Sequence, residues 1–290
     1  MRHKWLVLAA AIPLTFGWAL IAANAAGAAP GATGVFAASG VFARGWVQPG
    51  GLVSQLAHGS AGGRPPATGG RMQAQPTVVT SSNWAGYADT GPSDDFTNVT
   101  SSWVQPAARC SSGDQYAAFW VGLDGYSSRT VEQIGSEADC VGPTAQYSAW
   151  YEIYPSPEVA FSNTVQAGDQ LSASVSYLGS NKFLLTIADS TQHWKRSATR
   201  RLAGAARSSA EVIAEAPCCT NSGGILPLTD FSTASFGAAT VNNANLCTIG
   251  PAEITMPDTS VSSLSNCQNF TVSNSSGRGF HFRPFRVKGF

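Results

Sequence analysis

Histidine is almost missing. The chain has four in 290 residues: His3, His58, His193 and His281. A Ser-His-Asp triad needs an imidazole held against a serine, and there is no GxSxG elbow to receive one. Metal sites of the hydrolytic kind need ligands at set spacing. No such spacing occurs, so no metal and no cofactor is expected. Charge is scarce too, with Lys, Arg, Asp and Glu making up 12% of the residues. Few carboxylate pairs leave little stability to lose when carboxylates protonate, which suits a protein that works in acid. No repeat of solenoid period is present. No convincing amphipathic helix of ten residues follows Gln75; "TRRLAGAARSSAEVIAEA" comes nearest, and its alanine content leaves it ambiguous.

One long apolar run is present, at the start. "MRHK" is basic, "WLVLAAAIPLTFGWALIAA" is apolar, and "ANA" at 23–25 fits a small-residue cleavage site. This is the pattern of a secretory signal peptide over 1–25. An uncleaved anchor is the other reading, since the run could span a bilayer, but Pro13 breaks it. No later run is long enough to cross. A secreted protein without stable membrane association is therefore expected. Residues 26–75 are rich in Gly, Ala and Pro and contain no Asp or Glu. Such a stretch buries little and makes no core, so it reads as a linker or a basic pro-segment.

All 17 acidic residues follow Gln75. Over 76–276 they stand against 8 basic residues, a net −9. A body this acidic argues against nucleic acid as a partner, and a monomer is expected. Six cysteines in a secreted chain read as three disulfides. Fifteen pairings are open, and adjacent Cys218 and Cys219 are expected to bond to different partners. With all six paired, a cysteine nucleophile is not expected.

Period-2 alternation recurs along the body. "QYSAWYEIYP" puts Tyr147, Ala149, Tyr151 and Ile153 on one face and Ser148, Trp150, Glu152 and Tyr154 on the other. "QLSASVSYL" and "KFLLTIAD" alternate in the same way. Many short strands punctuated by turn residues predict an all-β fold, a two-sheet antiparallel β-sandwich in a single catalytic domain over 76–274. A basic aromatic tail follows at 275–290.

Carboxylates and amides remain for the chemistry. "DTG" at Asp89 resembles an aspartic peptidase signature, but that chemistry needs two aspartates sharing a proton. No second motif exists, so Asp89 is read as a loop residue. In "TVEQIG", Val131 and Gln133 share a face and Glu132 points away. In "SAEVIAEAP", Glu211, Ile213 and Glu215 share a face. Read in order, "SSNWAGY", "FWVGLDG", "TVEQIG", "AWYEIYP" and "AEVIAE" make the chain resemble the glutamic peptidases of the eqolisin family. The resemblance runs from Ser81 to about Phe236. It implies a concanavalin-like sandwich of two seven-stranded sheets and a pepstatin-insensitive acid endopeptidase. The implied catalytic dyad is Gln133 and Glu215, and the implied substrate-binding positions are Trp120, Asp124, Trp150 and Glu152. The sequence departs from the family where an Asp would precede "AWYE"; Ser148 stands there.

In such a dyad an ionised glutamate activates a water held by the glutamine, whose N–H stabilises the oxyanion, with no covalent intermediate. The optimum expected is about pH 2 to 5, near the ordinary glutamate pKa of about 4.3. The partners implied are protein or peptide substrates. Two alternatives stay open. A glycan- or peptide-binding module or inactive relative would use the same aromatic face without catalysis. A glycoside hydrolase would use Glu152 and Glu215 as its carboxyl pair.

Overall fold

The computed structural model describes residues 76–218, 224–264 and 267–274. The signal peptide, the segment 26–75, the tail and Cys219 lie outside them. Within the described residues the chain forms strands only.

The first sheet, from edge to edge, is β1 (Thr77–Thr80), β14 (Pro251–Thr255), β2 (Trp84–Thr90), β11 (Ser209–Glu215), β4 (Ala118–Leu123), β5 (Val131–Val141), β6 (Thr144–Tyr154) and β7 (Val159–Phe161). The second is β10 (Trp194–Arg201), β9 (Lys182–Asp189), β8 (Gln170–Tyr177), β3 (Asn98–Val104), β12 (Thr233–Val241), β16 (Asn269–Asn274) and β15 (Thr259–Leu264), with β13 (Ala244–Asn245) paired to β12. Every strand pairing is antiparallel except β1 with β14. This is the expected two-sheet β-sandwich. Each sheet counts eight strands rather than seven; short β1 forms the edge beside β14, and short β13 pairs with the end of β12.

Alternation places the core. Tyr147, Ala149, Tyr151 and Ile153 of β6 face the second sheet, and Leu171, Ala173 and Val175 of β8 with Phe183, Leu185 and Ile187 of β9 face the first. Aromatic rings lock the layers: Phe119 meets Phe231 edge-on at 5.1 Å, and Tyr87 meets Phe270 edge-on at 5.0 Å. The stretch left ambiguous between helix and strand ends β10, turns, and becomes β11. Its Ala210, Val212 and Ala214 enter the core at period 2.

Strands β2, β4 and β11 are buried on both faces. Their outward residues form a second apolar cluster with Trp84, Trp120, Trp150 and Ile213. A sheet face that is buried yet carries carboxyls is where chemistry can be held away from water.

Asp89 is not a loop residue. It lies in β2, fully buried, and its carboxylate accepts the backbone N–H groups of Cys247 (2.8 Å), Thr248 (3.2 Å) and Ile249 (3.3 Å). "DTG" here anchors a loop. Two disulfides, Cys110–Cys140 and Cys247–Cys267, use four cysteines, and Cys218 is also disulfide-bonded. The expectation that Cys218 and Cys219 bond to different partners falls on Cys219, outside the described residues.

Candidate active site

Register decides which outward side chains meet. Gln133 of β5 stands opposite Glu152 of β6 and opposite Gly122 of β4; beyond Gly122, on β11, is Glu211. Glu215 lies on another row, with Trp84 of β2, Ala118 of β4 and Glu137 of β5. Between the two rows sits Trp120, opposite Ile213 and Gly135.

Trp120 bridges the rows. Its indole N–H donates to Glu215 Oε2 at 2.8 Å, and its far ring edge lies over Gly122, where a Cβ would meet Cζ3 at 2.8 Å. At Gly135 a Cβ would meet Phe119 O at 2.3 Å and Trp120 Cβ at 2.6 Å. The glycines in "FWVGLDG" and "TVEQIG" are thus what lets the indole lie flat on the sheet. Trp84 packs edge-on against it, with ring centroids 5.0 Å apart.

Glu215 is 1% exposed, and Asn83 Nδ2 donates to its Oε1 at 2.9 Å. Burial pushes its pKa up to about 8; the indoles of Trp84 and Trp120 and the Asn83 amide pull downward, and the charge of Glu152 pushes further up. Gln133 is fully buried and donates from Nε2 to Glu152 Oε2 at 2.5 Å. Its Oε1 has no hydrogen-bond partner. Burial also raises Glu152 to about 8, against that hydrogen bond. No hydrogen bond joins Gln133 to Glu215; Glu152 interacts with both.

The structure thus brings Gln133, Glu152, Trp120 and Glu215 onto one face, with Trp150 on the same row as Trp120 through Gly135. Asp124 goes elsewhere. Its positive φ of 69° turns it off β4, and its carboxylate accepts the N–H groups of Arg207 (2.7 Å) and Ser208 (3.0 Å). It fixes the turn that leads into β11. Glu211 is also fully buried, but the charges near it are those of Asp124 and Glu132. Neither of its carboxyl oxygens has a hydrogen-bond partner, and no indole or side-chain amide holds it as Trp120 and Asn83 hold Glu215. Glu132 points between the sheets, as expected, and burial drives its pKa up to about 9. Among the described residues no group of His, Cys, Asp and Glu is placed to hold a metal ion.

Sequence reasoning missed Asn83, Glu137 and Glu158. Asn83 lies inside "SSNWAGY", and only the fold shows its amide reaching Glu215. Counting by twos from Gln133 reaches Glu137, so the alternation held that signal. Ser148 donates to Glu137 Oε2 at 2.7 Å, which gives a hydroxyl a defined place where a carboxyl would stand.

The sequence over residues 82–279 matches the Peptidase A4 family. Among solved structures, scytalido-glutamic peptidase with a transition state analogue inhibitor is 24% identical, with a TM-score of 0.58, over 67% of this chain and 98% of that one. SCP-B, described as a member of the eqolisin family of peptidases and bound to the tripeptide Ala-Ile-His, is 23% identical, with a TM-score of 0.54, over the same shares. At such identity these likenesses speak for the fold. No curated protein matches the chain. With two thirds of its residues in the family match and the same sandwich beneath them, the chain belongs to the Peptidase A4 family, the eqolisins.

Proposed function

We propose that the chain is a secreted acid endopeptidase that hydrolyses internal peptide bonds with Glu215 and Gln133 as its reacting pair. The observation that carries this is the setting of Glu215, a buried carboxyl held by Asn83 and Trp120, with the Gln133–Glu152 pair at the other end of the same indole. Residues 1–25 would be the cleaved signal, and 26–75 a basic pro-segment that leaves the acidic face once acid neutralises it.

The raised pKa of Glu215 changes how the reaction starts. In acid the carboxyl is neutral, so the ionised base expected from the sequence is not its resting form. A neutral carboxyl can accept a proton at one oxygen while it gives one from the other. A water that donates to Gln133 Oε1 attacks the scissile carbonyl carbon. Its other proton passes to Glu215 while the proton of Glu215 passes to the carbonyl oxygen. The second N–H of Gln133 Nε2, not used by Glu152, donates to that oxygen as charge develops. The neutral gem-diol then collapses: Glu215 protonates the leaving nitrogen, takes the hydroxyl proton back, and the C–N bond breaks. Acid and amine leave without a covalent intermediate.

Digestion of a denatured protein between pH 2 and 7, with pepstatin present, tests the reading. Wild-type cleavage in acid is expected to be lost in both Gln133→Ala and Glu215→Gln. A glycosidase built on Glu152 and Glu215 would be indifferent to Gln133→Ala and would cleave no protein. A binding module would hold peptide or glycan and cleave neither.

A further inference from the structure

Glu158 lies just before edge strand β7, past the turn that follows "AWYEIYP". Its Oε2 is buried and has no hydrogen-bond partner. The charges that act on it are all negative, Glu137 first, then Glu152 and Asp139. The only ion pair among the described residues is Arg207–Asp94, so none of these four carboxyls faces a described cation at ion-pair distance.

Glu137 gives an independent sign that this place suits a ligand. It is 1% exposed; Ser148 fills Oε2, and Oε1 is left without a donor. Glu152 Oε1 is in the same condition. Every unpaired atom here is a carboxyl oxygen, and a buried polar atom without a partner is costly. A cation beside a carboxyl lowers its pKa, so a group that brings N–H donors and positive charge together both partners these oxygens and ionises them. An ammonium carries three donors and a guanidinium five. Among the described residues no group of carboxyls is placed to hold a metal ion, so an organic cation fits better than an inorganic one.

We propose that Glu158, with Glu137 beside it, forms a subsite that takes a basic side chain of the substrate, lysine or arginine, next to the reacting pair. This rests on the peptidase reading above. Glu158 acts on substrate choice and not on the bond that breaks, so its loss should leave neutral peptides untouched.

The test uses quenched fluorescent peptides in which one position at a time carries lysine or norleucine, two side chains of similar length. At one position wild type should cleave the lysine peptide about tenfold faster in kcat/KM, the scale of one charge-assisted hydrogen-bonded contact. In Glu158→Gln that ratio should fall to near one, while the norleucine peptide keeps its rate and the melting temperature holds. A lysine preference equal in wild type and Glu158→Gln would overturn the subsite, as would no preference at any position. Should no peptide be cleaved, the peptidase reading fails on its own, and binding of the same labelled peptides decides the subsite. A lysine-over-norleucine difference in Kd that vanishes in Glu158→Gln upholds it, and equal Kd values sink it.

Discussion

Trp120 is the side chain on which the site turns. It touches Glu215 through its N–H and shields the Gln133 row through its ring. Trp120→Phe keeps most of the ring and removes the donor. A drop in kcat of about tenfold is expected, the worth of one hydrogen bond to a group that carries charge during the reaction, with little change in KM. Gly135→Ala should not yield folded protein, because the added methyl meets the Phe119 carbonyl at 2.3 Å; circular dichroism of the purified variant checks this. Asn274 sits in an N-x-[ST] sequon, yet its side-chain amide is buried and donates to Thr229 O at 2.7 Å. Intact mass should show this sequon unmodified in folded protein. From sequence, the placing of Gln133, Glu215, Trp120 and Glu152 on one face was legible, because strand parity and the order of the motifs both mark it. Asp124 carried the motif but not the place. A positive φ at the strand end sends its carboxylate to Arg207 and Ser208, and no alternation rule foresees that.

At the scale of elements, the strands were read from period 2, and the core bears this out in β6, β8 and β9. Sequence could not order them. Neighbours such as β2 with β11 and β14, or β3 with β12, are far apart in the chain and meet only when the sandwich closes. The same long-range pairing hid the use of Asp89, whose three N–H partners arrive from about 160 residues on. Asp89→Ala would leave three backbone amides, that of buried Cys247 among them, without their acceptor. A loss of about 2 to 4 kcal/mol is expected, on the scale of removing hydrogen bonds to a charged group, read as a lower urea midpoint with unchanged slope. The Cys110–Cys140 bridge closes a loop of separation 30. Replacing both cysteines by alanine should cost about 3 to 4 kcal/mol if chain entropy governs it.

For the whole molecule the buried carboxyls set the pH range of stability. Burial raises Asp89 to about 6, Glu137 to about 7, Glu152 and Glu215 to about 8, and Glu132 to about 9. A carboxyl whose folded pKa lies above its unfolded value holds its proton more tightly in the fold. The stability this adds is complete below the unfolded pKa of about 4 and is lost as pH rises through the folded values. The window of loss therefore runs from about pH 4 to about pH 9. Low charge content suggested acid tolerance from composition alone; the structure adds a cause that composition cannot show, carboxyls whose burial raises their pKa values. A two-unit shift in one such group is about 2.7 kcal/mol, so a Tm lower at pH 8 than at pH 4 by more than about 5 °C is expected. A Tm that rises over that span would mean the carboxyls are ionised in the fold.

The same protonation state governs catalysis, and the pH dependence of kcat/KM between pH 2 and 8 tests it most directly, with Glu215→Gln as the inactive control. If neutral Glu215 starts the reaction, the rate is level in strong acid and falls on one limb as pH rises, with an apparent pKa above 5. A rate that instead climbs from pH 2 as a carboxyl ionises near 4 would contradict this and return Glu215 to the role of an ionised base.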